Sequence, residues 1–287
     1  AEEQTFEAHD GQEIFYRHWP SAGKSRPKGA IVLFHRGHEH GARIAHLVDE
    51  LDMPDYAFYA WDARGNGRSP GERGDAPDFA TIVRDVDTFV RHITAQDKIA
   101  TENIAVVAQS VGAVAVSAWV HDYAPKIRAQ VLASPAFSVK LYGPFARAGL
   151  SLMHKLRGNF FVNSYVKARF LTHDPDRIKS FENDPLIARP ISVRVLLGLY
   201  EAAERVVKDA RAVHVPTQLL ISGADWVVRH APQHEFFVNL GAEKKERQVL
   251  PGFFLDTLGE KDRAGVVSEV RRFLTECFAE PVSRPSL

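Results

Sequence analysis

Cysteine is almost missing from this chain: Cys277 is the single one in 287 residues, which excludes an internal disulfide framework. It lies on the stripe Val266, Val270, Phe273, Leu274, Cys277 and Phe278, so a buried, inert thiol is expected. Net charge is missing too, with 36 Lys and Arg against 36 Asp and Glu, and the whole-molecule balance implies no nucleic-acid partner. No apolar run reaches ~18 residues, which excludes a transmembrane helix. Internal repeats and low-complexity segments are absent. The chain starts Ala-Glu-Glu-Gln, with neither an initiator Met nor a signal-peptide pattern; a trimmed N-terminus and a cytoplasmic location are the expectation. What remains is an ordinary soluble composition, 45% hydrophobic and 25% charged, long enough for one large α/β domain or a domain with an insertion.

Two strands, Thr5–Ala8 and Glu13–Trp19, flank a hairpin turn at His9-Asp10-Gly11. Buried strands follow at Ala30–Phe34, Tyr56–Trp61, Ile104–Ala108 and Ala129–Ala133, alternating with helical periodicity such as Phe79, Ile82, Val83, Val86, Phe89, Val90 and Ile93. The alternation stops at Pro135. Only amphipathic stretches around Tyr142–Leu156, Phe160–Leu171 and Val193–Val207 are legible before it resumes with Gln218–Ile221, a helix near Pro232–Leu240, Arg247–Leu250 and a last helix near Asp262–Phe278. This order predicts an α/β fold: a doubly wound, mostly parallel sheet with a helical insertion after its sixth strand. The expected division is a core of residues 1–134 and 214–280, an insertion over 135–213, and a linker-like tail over 281–287.

One stretch organises the rest. Ile104 to Ala108 reads as a strand buried on both faces, and from Val111 the apolar residues take helical spacing. Ser110 sits at the switch, with Ala108 two places before and Gly112 two places after. Small residues there let a strand turn sharply into a helix and push the serine out at the positive helix end. The plain alternative is a helix N-cap serine.

Four motifs carry a resemblance over essentially the whole chain: His35-Arg-Gly-His-Glu-His40, Asp62-Ala-Arg-Gly-Asn-Gly-Arg-Ser69, Ala108-Gln-Ser-Val-Gly112 and Gly223-Ala-Asp-Trp226. Together they resemble the monoacylglycerol lipase and lysophospholipase (serine aminopeptidase S33-type) branch of the α/β-hydrolases. The nearest likeness is to a bacterial form sometimes fused to a methyltransferase, which suits the tail. The resemblance implies an α/β-hydrolase fold with an eight-stranded sheet. It makes Ser110 the nucleophile, Asp225 the acid, and the backbone N–H groups of Val111 and Gly37 the oxyanion donors. Arg36 and His38 stand where the family usually has glycines, which predicts a stiffer loop. The lesser alternative for Asp225 is a cap on the helix after it.

The base is absent. The family places histidine where Pro251-Gly-Phe-Phe-Leu-Asp-Thr-Leu-Gly259 has Leu255, and leucine can neither take a proton nor orient a group. His230 and His234 follow Asp225, but they belong to the next helix and would need a rearranged loop to serve. His35, His38 and His40 lie close in sequence, yet a turn should point them apart, so neither metal nor cofactor is implied. Asp62 and Arg64 are expected to brace loops beneath the site.

Between Ser138 and Phe181 lie eight Lys and Arg against two Asp, interleaved with Leu141, Tyr142, Phe145, Leu150, Leu152, Met153, Phe160, Phe161 and Tyr165. The resemblance makes this a cap over the serine. Its charge suits either peripheral contact with an anionic membrane or a solvated face balanced by acids elsewhere. Three functions stay open. The first is a serine hydrolase cleaving a carboxylic ester of a single-chain lipid, crippled by Leu255. The second is an inactive pseudo-hydrolase binding a lipid or acyl group, beside a fused C-terminal domain. The third is an amidase or aminopeptidase of the same fold.

Overall fold

The computed structural model describes residues 1–23, 26–140 and 145–281. Strands β1 (Glu2–Glu7) and β2 (Glu13–Trp19) form the hairpin and pair antiparallel. They are followed by β3 (Ala30–Phe34), α1 (His46–Leu51), β4 (Ala57–Trp61), α2 (Phe79–Asp97), β5 (Ile104–Gln109), α3 (Val111–Tyr123) and β6 (Ala129–Ala133). Then come α4 (Ala146–Arg157), β7 (Phe161–Asn163), α5 (Pro175–Glu182), β8 (Pro190–Ser192) and α6 (Val193–Lys208). The chain closes with β9 (Thr217–Ser222), α7 (His230–Asn239), β10 (Lys245–Leu250) and α8 (Ala264–Ala279).

Among the described residues, eight strands form one sheet in the order β1-β2-β4-β3-β5-β6-β9-β10. From β4 to β10 every pairing is parallel, and β2 joins β4 antiparallel. The central strands are apolar on both sides because helices cover both sides. Val32, Phe34, Val106 and Ala108 pack with residues of α2, α3, α6 and α7, while Ile31, Leu33, Ala105 and Val107 pack with α1 and α8. The period of two along each strand thus divides the core into two layers. Cys277 is buried in the second layer, and burial pushes its thiol up to about 12, far from reactive.

The segment between β6 and β9 departs from the sequence expectation in two places. Phe160–Leu171 is no continuous helix; it holds β7 and a short 3-10 turn at Ala168–Phe170. β7 pairs antiparallel with β8 in a two-stranded ribbon, although no strand was legible there. Three-residue strands leave no periodicity to read. The helix α5 was also unread, yet its start is well marked: Asp174 caps the N–H groups of Asp176 and Arg177, and Pro175 opens the helix. Leu141 and Tyr142, and all of the expected tail but Pro281, lie outside the described residues.

Candidate active site

Ser110 follows β5 directly and precedes α3, with φ 55° and ψ −118°. A non-glycine residue there is strained by roughly 1–3 kcal/mol, so its surroundings must hold it. They do: its N–H donates to Ala133 O at 2.9 Å, and its carbonyl accepts from Ala136 N at 3.2 Å. Gly112 explains the small residue two places on, because a Cβ there would sit 2.3 Å from the His35 carbonyl oxygen. Elbow and β3 loop therefore touch backbone to backbone. Gly37 completes this contact, its missing Cβ facing Val111 at 3.1 Å. Among the described residues, neither the Gly37 nor the Val111 N–H finds a protein acceptor, and both residues line the cavity that Ser110 faces.

That cavity opens to solvent and encloses about 1280 Å³ with its mouth included. Ile82, Leu171, Phe181, Val195, Leu196 and Leu199 give it apolar walls. Leu255 lines it too and is itself buried. Asp225 follows β9 and lies behind this surface, buried, while its neighbours Val227 and Val228 line the wall. Its Oδ1 accepts the N–H groups of Val227 at 2.7 Å and Val228 at 2.9 Å. Its Oδ2 is buried without a partner among the described residues. Burial pushes this carboxyl above its ordinary range, against the pull of those two N–H groups and of Lys140. Lys140 Nζ also donates to the Asp225 carbonyl at 2.5 Å.

The loop bearing Leu255 is firmly held. Gln109, next to Ser110, donates from Nε2 to Asp256 Oδ1 at 3.0 Å and accepts Leu258 N–H at 2.9 Å. Arg177 of α5 donates to Asp256 Oδ2 at 2.9 Å. Thr257 Oγ1 sits 2.7 Å from both Ser134 Oγ and Ser222 Oγ. Burial alone would raise the Asp256 carboxyl, but Arg177 and Arg36 hold it well below the usual carboxylate range.

The ring nitrogens of the histidines considered for the base have other partners. His230 Nε2 donates to Ser222 O at 2.8 Å, and His234 Nδ1 accepts from Arg247 at 3.1 Å. His35 lines the cavity with both nitrogens committed: Nδ1 donates to Arg36 O at 2.6 Å, and Nε2 accepts Ala63 N–H at 3.0 Å. Burial lowers its proton affinity and keeps it neutral. His40 pairs with Asp184 at 2.7 Å and His38 with Ser164, so the three imidazoles point to three different partners. Among the described residues no cluster of three or more His, Cys, Asp or Glu could hold a metal ion.

Asp62 braces neighbouring loops. It is fully buried and accepts Gly41 N–H, Arg68 N–H and the Arg17 guanidinium, at 2.7, 2.8 and 2.9 Å. Arg64 is clamped between Asp85 and Asp10. Sequence reasoning missed what Arg36 does. Its guanidinium is buried, bonded to Glu39 at 2.5 Å and 3.7 Å from Asp256, tying the β3 loop to the loop of Leu255. The departure from glycine was the available signal; the partner, 220 positions away, was not.

Strand order, the serine at the turn and the loops at the carboxyl edge of the sheet define an α/β-hydrolase. The family model described as serine aminopeptidase, S33, matches residues 25–262, and the chain belongs to that family, on its monoacylglycerol lipase-like branch. Over 277 residues it is 56% identical to the uncharacterized protein YnbC of Escherichia coli K12; this covers 96% of the chain but 47% of YnbC, so the chain spans about half that relative's length. It is 26% identical to the monoacylglycerol lipase of Mycolicibacterium smegmatis over 277 residues, 95% of this chain and 96% of that one. The crystal structure of Paleococcus ferrophilus monoacylglycerol lipase superposes with a TM-score of 0.82 at 21% identity, covering 92% and 99% of the two chains.

Proposed function

We propose that this chain is built to cleave a carboxylic ester of a single-chain lipid, of monoacylglycerol or lysophospholipid type, through an acyl-Ser110 intermediate. In this reading Val111 and Gly37 N–H groups receive the oxyanion, and Asp225 is the acid. Leu255 occupies the position of the base, so turnover by the present sequence is crippled. The observation that carries the reading is the unpartnered Asp225 Oδ2, buried behind a cavity wall that includes Leu255. An unsatisfied buried acceptor costs about 1–3 kcal/mol, and an imidazole N–H is the donor it lacks.

Leu255 itself favours a second reading, a pseudo-hydrolase that holds a lipid or acyl group in the same cavity. The match to half of YnbC supports a further domain beside this one in a longer protein. An amide substrate is the third reading, in keeping with the family's aminopeptidase description. Peripheral membrane contact through residues 135–213 has its own support. Phe145 and Leu156 are 84% and 75% exposed, and α4 buries no residue. Arg147 and Arg177 have acidic partners, whereas Lys155, Arg157, Lys167, Arg169 and Lys179 make no ion pair among the described residues. No helix among the described residues is long and apolar enough to cross a membrane.

The test is Leu255→His, assayed on a short p-nitrophenyl ester, its amide analogue and a monoacylglycerol, with Ser110→Ala as the blank. The expected gain on esters is at least ~10³-fold, conservative beside the ~10⁶ lost when such a base is removed. If both forms stay at the level of the blank, the pseudo-hydrolase reading replaces this one.

A further inference from the structure

Ser110 has a strained turn and two waiting N–H donors but no base. A second serine in the same cavity has an imidazole within hydrogen-bond reach. Ser164 lies between β7 and α5 and lines the cavity, and its Oγ is 2.7 Å from Nε2 of His38. That is within the reach expected of a nucleophile and the imidazole that activates it.

His38 is held in this position from several sides. It adopts φ 66°, the left-handed region, which is strained for a residue with a side chain and persists where the surroundings impose it. Its carbonyl accepts Ala188 N–H at 3.0 Å, and its ring meets Ser164, so residues of the segment between β6 and β9 fix both ends. Burial lowers the proton affinity of the ring, while the backbone of both Ala188 and Ser164 acts in the opposite sense. With its proton on Nδ1 the neutral ring turns the Nε2 lone pair toward Ser164 Oγ.

We propose that Ser164 and His38 form a second nucleophile–base pair in the cavity, with His38 in its Nδ1-protonated neutral form. As Ser164 Oγ attacks the carbonyl carbon of an ester, the C–O bond forms and His38 Nε2 takes the hydroxyl proton. Collapse of the tetrahedral adduct breaks the bond to the leaving alkoxide, which takes that proton back and departs as an alcohol. Water then attacks acyl-Ser164, with His38 again accepting and returning a proton. Ester and water are consumed, and acid and alcohol are formed. The pair shares its cavity with Ser110 but does not rest on acylation there.

The experiment treats the full chain with a fluorophosphonate and locates the adduct peptide by peptide in a mass spectrometer. The proposal expects an adduct on Ser164 in the parent. His38→Gln should slow that labelling about a hundredfold, the scale of a lost general base, with circular dichroism confirming the fold. The parent map decides even where the variant fails to fold: an unlabelled Ser164 overturns the pair. Labelling of Ser164 at the parental rate in His38→Gln also overturns it. An adduct on Ser110 alone overturns the pair while supporting the acyl-Ser110 reading. That reading fails separately, if Leu255→His leaves Ser110 as unreactive as before.

Discussion

Two loops meet at the carboxyl edge of the sheet, and they differ in an instructive way. The turn between β5 and α3 is strained and complete: Ser110 at positive φ, with Gly112 packed against the β3 loop and Val111 N–H without an acceptor among the described residues. The loop after β10 is just as well held, by Gln109, Arg177, Ser134 and Ser222, yet presents Leu255 to the cavity. A loop that had lost its function through drift would be expected to lose its supports as well. Here the supports of the loop stand, with Leu255 among them. On the proposed reading the loss is one of chemistry at a single side chain.

The comparison can be broken at either loop. Removing Asp256 should have the largest effect on stability, because it leaves the buried Arg36 and the half-buried Arg177 without their shared carboxylate. Asp256→Ala should cost about 3–5 kcal/mol in urea unfolding at pH 7, the range for breaking a buried ion pair from one side. The sign with pH follows from its depressed proton affinity. Its contribution is fully present above the unfolded carboxyl value of about 3.9 and fades as pH falls through the lower folded value. The gap between parent and variant should therefore shrink in acid; a gap that widens would contradict the assignment.

On the other loop, Gly112→Ala should destabilise by about 1–3 kcal/mol. Alanine is the better helix former by about 1 kcal/mol, but its Cβ would stand 2.3 Å from the His35 carbonyl oxygen, and overpacking of this kind outweighs the gain. Thermal unfolding of the two forms checks the sign: a more stable variant would mean that elbow and β3 loop are not in backbone contact.

The legible part of this design followed from residue spacing. Continuous apolar runs such as Ala30–Phe34 marked the central strands, and the change of period after Ser110 marked the elbow. Leu255 is read as a departure through the resemblance that the motifs around it carry. What stayed hidden depended on distance along the chain. Ser164 is 126 positions from His38, and Arg36 is 220 from Asp256; no local pattern links such pairs. The β7–β8 ribbon was hidden for another reason, since two strands of three residues are too short to show alternation.

The smallest expected effect concerns the surface above both loops. If the exposed apolar and basic residues of α4 meet anionic lipid, binding to anionic vesicles should weaken as salt rises from 0.05 to about 0.5 M, because the Debye length then shortens well below ~10 Å. Equal binding to neutral and anionic vesicles, indifferent to salt, would leave a solvated face.

The claim that Asp225 keeps an acceptor for an imidazole that is no longer there is tested most directly by a double-mutant cycle. Leu255→His and Asp225→Asn are made singly and together, and kcat/KM is measured on a p-nitrophenyl ester. The account predicts that Leu255→His raises kcat/KM by at least ~10³-fold while Asp225 is present, since an acid-held imidazole supplies the base. In the Asp225→Asn background the gain should fall to about 10-fold or less. An equal gain in both backgrounds would show that Asp225 and position 255 do not act together, and would contradict the account.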